Sequence, residues 1–141
     1  MECLERPTAG HPERPPHVVL SAEFSPDGQR IVTASEYTEA RLWNASSGQL
    51  LATLLGAQSA EFSPDGQRIV TASGDNRARV WNASSGQLLA TLKGHTDNVL
   101  RAVFSPDSQR IVTASYDNTA RVWNASSGQL LATLKGPPVL F

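Results

Sequence analysis

The chain has 141 residues, 40% hydrophobic and 18% charged, and its 12 Lys and Arg against 13 Asp and Glu leave a formal net charge of −1. That is enough for one ordinary domain with an apolar core, and it provides no overall field favouring nucleic acid or an anionic membrane. Apolar runs of a few residues exclude a transmembrane helix. The start, with Glu2 and Glu5, lacks the apolar segment of a secretory signal, and the lone Cys3 excludes an intrachain disulfide, so a cytoplasmic protein is expected.

In chain order, residues 1–16 are Pro-rich and read as a flexible tail. Three related blocks follow, opened by Phe24, Phe62 and Phe104, with Trp43, Trp81 and Trp123 each 19 residues on. The block from Phe62 to Gly94 matches that from Phe104 to Gly136 at 30 of 33 positions, differing only at 66/108, 74/116 and 77/119. The block from Phe24 to Gly56 matches the second at 27 of 33; four of its six differences are consecutive, at Glu36, Tyr37, Thr38 and Glu39.

Each block opens with a turn: "SPDG" at Ser25–Gly28 and Ser63–Gly66 puts Pro second and Gly last, as in a type I turn. In the third block "VLRAVF" (Val99–Phe104), "RIVTAS" (Arg110–Ser115), "ARVWN" (Ala120–Asn124) and "QLLATL" (Gln129–Leu134) read as short strands. No segment keeps a 3.6-residue period between these breakers. The fold class is therefore all-β, with four antiparallel strands per unit, the pattern of a propeller blade.

The unit "GHTDNVLRAVFSPDSQRIVTASYDNTARVWNASSGQLLATLKG" resembles the WD repeat, whose naming Asp is here Asn44, Asn82 or Asn124. The likeness runs over residues 17–136, with blades at about 17–54, 57–92 and 97–134 and a C-terminal tail at 137–141. It implies a buried network of imidazole, hydroxyl, carboxylate and indole, carried in the third unit by His95, Thr113, Asp117 and Trp123. The second unit retains Thr71, Asp75 and Trp81 but has lost four residues, and with them the His, between Gly56 and Phe62. The first retains Thr33 and Trp43, with Tyr37 in place of the Asp. The two incomplete units are expected to be the looser ones.

The resemblance also implies a partner-binding top face, which by position contains Asn98, Leu100, Tyr116, Glu36, Leu20 and Gly74. The expected function is a non-enzymatic scaffold for a protein or peptide, without nucleic acid or membrane. No catalytic, cofactor or metal residues are assigned: His95 belongs to the network, and no His, Cys or Asp cluster or phosphate loop accompanies it. The recurring "NAS" reads as part of the unit rather than as a glycosylation site.

Three blades leave two apolar end faces. The chain then belongs to a longer array, pairs with itself as a six-bladed dimeric ring, or adds blades to another protein's propeller. Pro137 and Pro138 stand where the next unit's His is expected, which predicts that the repeats stop at Gly136. The self-assembled propeller is the alternative reading of function; an enzyme or sugar-binding propeller is the less favoured one.

Overall fold

A computed structural model describes residues 18–35 and 39–137. Its strands are β1 (Val19–Phe24), β2 (Arg30–Ser35), β3 (Glu39–Asn44), β4 (Leu50–Leu55), β5 (Ser59–Phe62), β6 (Arg68–Ala72), β7 (Ala78–Asn82), β8 (Leu88–Leu92), β9 (Val99–Phe104), β10 (Arg110–Ser115), β11 (Thr119–Asn124) and β12 (Leu130–Lys135). No helix occurs among the described residues. The strands form three antiparallel sheets, β1–β4, β5–β8 and β9–β12, each in chain order. The reading of three four-stranded blades holds, and the short segment "AQSAEF" supplies a paired strand, with Ala60 opposite Thr71 and Phe62 opposite Ile69. The 1–16 tail, Glu36, Tyr37 and Pro138 lie outside the described residues.

The turns explain why the strands end where they do. In "SPDG" the Gly28 N–H donates to Ser25 O at 2.9 Å, while the Asp27 carboxylate accepts from the Ser25 hydroxyl at 2.7 Å and from Gln29 N at 2.9 Å. Gly28 and Gly66 take φ of 74° and 75°, which costs nothing without a Cβ. The third unit has Ser108 there, at φ 63°. Ser108 is buried, and its hydroxyl accepts from Asp65 N of the neighbouring sheet at 3.2 Å. The Asn of each "NAS" serves its own turn: Asn124 Oδ1 accepts from Ser126 N and Ser127 N, as Asn44 and Asn82 do in theirs.

Alternation along β2/β3, β6/β7 and β10/β11 gives every sheet two different apolar faces. One carries Val32, Leu42 and Leu54 in the first sheet and Val70, Val80 and Leu92 in the second; the other carries Phe62, Ile69 and Trp81, then Phe104, Ile111 and Trp123. The valine-and-leucine face of the first sheet packs on the tryptophan face of the second, and the second packs on the third in the same way. Both faces of the second unit are thus covered, whereas the first and third each leave one open.

Candidate functional site

The loop from β8 to β9 delivers His95 to the third sheet. It turns at Gly94, whose φ of 152° is one that residues with a Cβ rarely adopt; a Cβ there would also fall 2.4 Å from Arg121 Nη1, at the end of a flexible side chain. His95 Nδ1 lies 2.8 Å from Asp117 Oδ2 and Nε2 lies 2.6 Å from Thr113 Oγ1. The carboxylate has no proton to give, so Nδ1 carries the hydrogen and Nε2 accepts from the Thr113 hydroxyl. The same hydroxyl oxygen accepts from Trp123 Nε1–H at 2.9 Å. Burial would raise the Asp117 carboxyl, but the Thr119 hydroxyl, the His95 ring N–H and the Thr96 and Thr119 backbone N–H groups outweigh it and hold the group well below the usual carboxylate range. Both imidazole nitrogens are thus engaged in structure.

The other units retain the indole end of this chain. Trp81 Nε1–H donates to Thr71 Oγ1 at 2.9 Å, and Trp43 Nε1–H to Thr33 Oγ1 at 3.0 Å. Asp75 requires a correction. Assigned to the buried network, it is exposed and accepts from Arg79 Nη2 at 2.6 Å, with Arg77 Nη1 at 3.7 Å. Without an imidazole to hold, its carboxylate turns to the nearest guanidinium. Burial pushes this carboxyl up, yet the bonds from Arg79 and Ser73 keep it below its ordinary value.

The missing residues leave a space. Nine residues separate Gly94 from Phe104, but five separate Gly56 from Phe62. Beside the shortened loop lies a cleft of about 400 Å³ lined by Gly56, Gln58, Ser73, Gly74, Asp75 and Asn98. It opens between the second and third sheets, and Gln58 Nε2 donates to Asn98 Oδ1 across it at 3.1 Å. A Cβ at Gly74 would meet Gln58 Nε2 at 2.9 Å, so a side chain at that position displaces the Gln58 amide that spans the cleft.

A family model described as "WD domain, G-beta repeat" matches residues 3–44, 47–82 and 86–124. The chain belongs to the WD40 family. WD repeat-containing protein 86 of Homo sapiens is 53% identical over 36 residues, which is 26% of this chain and 10% of the human protein. The crystal structure of RRP9 WD40 repeats is similar with a TM-score of 0.79 at 22% identity, over 88% of this chain and 40% of that one. The structure of U3-55K is similar to the same degree, with a TM-score of 0.79 at 22% identity over 88% of this chain and 41% of that one. At such identity the likeness establishes the fold alone. The chain spans about a tenth of the human relative and about two fifths of the solved chains.

Of the positions that the WD40 resemblance assigns to the partner-binding face, the structure brings Asn98 and Gly74 together in the cleft. Tyr116 is beside them, 67% exposed, with its N–H donating to Asn98 O at 3.0 Å. Leu100 lies elsewhere, in a second cleft of about 310 Å³ with Ser21, Glu23, Ser59 and Glu61 of the inner strands. Leu20 is exposed on β1, and Glu36 is outside the described residues. Gln58 was missed, although it stands where the third unit carries Leu100, and the shortened loop ahead of it is a visible signal in the sequence.

Proposed function

We propose that this WD40 chain is a non-enzymatic protein-interaction scaffold that takes a peptide segment across the cleft between its second and third blades. The observation that carries this reading is the cleft itself, where the second unit has lost its imidazole-bearing residues. Its lining suits a peptide: the Gln58 and Asn98 amides offer donors and acceptors to a backbone, and the Asp75 carboxylate stays ionised. The engagement of both His95 nitrogens supports the non-enzymatic reading, and the near-neutral charge supports a protein partner over nucleic acid. A cytoplasmic setting is part of the proposal and rests on the single cysteine.

A displayed random-peptide library selected on the wild-type chain tests this. Enriched peptides are expected to bind at least tenfold more weakly to Gly74→Tyr, which places the residue that the third unit carries at this position on the cleft wall and displaces the Gln58 amide. Equal binding to the two proteins would move the site away from the cleft.

A further inference from the structure

The outermost faces of the stack differ sharply from their inner counterparts. Val32 and Val70 are 1% and 0% exposed and Leu54 and Leu92 are both 0%, but Val112 and Leu134 of the third sheet are 37% and 52% exposed. At the other end Phe24 is 64% exposed where Phe62 is 8%. The end faces are therefore open versions of the two faces that meet inside the molecule. The third sheet presents Val112, Val122 and Leu134, the same residue types as Val70, Val80 and Leu92; the first presents Phe24, Ile31 and Trp43, the same types as Phe104, Ile111 and Trp123.

We propose that the chain pairs with a second copy of itself head to tail, the open valine-and-leucine face of the third sheet receiving the tryptophan face of the partner's first sheet. Both junctions pair the same apolar faces, and that of the second and third sheets adds a polar clamp. There Arg68 donates from Nη1 to Ala125 O at 2.8 Å and from Nη2 to Ser108 O at 3.3 Å, with its guanidinium 5.9 Å from the centre of the Phe104 ring. Arg110 is the equivalent residue at the open end, and it is exposed. Its targets on a second copy are the carbonyls of Ala45 and Gly28 and the ring of Phe24, which take the places of Ala125, Ser108 and Phe104 in the repeat.

Space is available for that ring. An apolar cleft of about 340 Å³ lies among Phe104, Pro106, Arg110, Val112 and Val122; its counterpart on the second sheet, around Arg68, Val70 and Val80, is where Phe104 packs. The end face is also less polar than the inner ones. Glu23 and Glu61 both bond to the next sheet, to Phe62 N at 3.0 Å and to Arg101 Nη2 at 2.8 Å, and the third unit has Val103 at that position. A second copy is the fitting occupant because each chain carries both halves of a contact that it already makes twice. Two copies consume all four open faces when the contacts close as a two-fold ring of six blades.

The first measurement is light scattering behind size exclusion on the 141-residue chain across a dilution series. The expected mass is twice the 15.1 kDa of one chain; a mass of one chain throughout, or one that climbs past two chains with concentration, overturns the ring. Two variants then test polarity: Val112→Lys with Leu134→Lys on one face, and Phe24→Lys on the other. Each is expected to run as a single chain, and an equimolar mixture to recover the doubled mass, because one intact contact forms between unlike variants. Survival of either variant as a dimer, or failure of the mixture to rejoin, overturns the head-to-tail contact. Arg110→Ala, an exposed change that leaves the fold intact, is expected to raise the dimer dissociation constant about tenfold; an unchanged constant removes Arg110 from the interface.

Discussion

The Thr113 hydroxyl stands 2.6 Å from His95 Nε2 and, on its other side, 2.9 Å from Trp123 Nε1, so a single oxygen gives a proton to the imidazole and takes one from the indole. Thr113→Val keeps the shape and strands both partners. It is expected to cost about 3 kcal/mol in urea denaturation, where Thr71→Val, which strands the indole alone, costs about 1–2 kcal/mol. Equal losses would mean that the imidazole contributes nothing.

Acid stability follows from Asp117. Its carboxyl is held below the unfolded value, so it stabilises the fold above about pH 4, and that contribution is lost as pH falls towards the folded value. Asp117→Asn is expected to be less stable at pH 7 and to have a flatter stability profile below about pH 4. Denaturation midpoints across this range check it; parallel profiles for the two proteins would assign the acid sensitivity elsewhere.

Leu92 and Leu134 occupy the same place in successive units, 0% and 52% exposed. Leu92→Ala empties a packed junction and is expected to cost about 2–5 kcal/mol. Leu134→Ala, measured at dilutions where single chains prevail, is expected to stay within about 0.5 kcal/mol of wild type. A large loss from Leu134→Ala in dilute solution would show that the outer face is covered within one chain.

Gly94 admits no side chain without moving Arg121. Gly94→Ala is expected to destabilise the chain by about 1–3 kcal/mol, chiefly from the strained φ and less from the displaced guanidinium, which ends a flexible side chain. Gly28→Ala, with nothing within 4 Å of the added Cβ, bears the φ penalty alone and is expected to cost less. Thermal melts of the two variants separate these contributions.

The strands were legible because each unit writes them between turn residues with fixed backbone demands: the β10 bounds follow from "SPDS" before and "YDN" after. The His95–Thr113–Asp117–Trp123 grouping was legible from the family likeness. Two things were not. Three blades predict two open end faces, but Val32, Val70 and Val112 sit in the same sequence context, so which residues line those faces is set by position in the stack and by nothing local. The turning of Asp75 to Arg79 was hidden for a related reason: the unit still spells the network, and the absence of four residues in another loop decides where the carboxylate points.

The recurrence of one pair of faces at both junctions has a consequence for how such a gene changes. Remove the second unit, and the face of Val32, Leu42 and Leu54 meets that of Phe104, Ile111 and Trp123, a pairing of the kind already present at both existing junctions. Duplicate it, and one more junction of the same chemistry appears. Whole-unit gain or loss by recombination between near-identical stretches therefore creates no packing problem that this chain has not already solved, whereas a change of a few residues, such as the one before β5, reshapes a cleft.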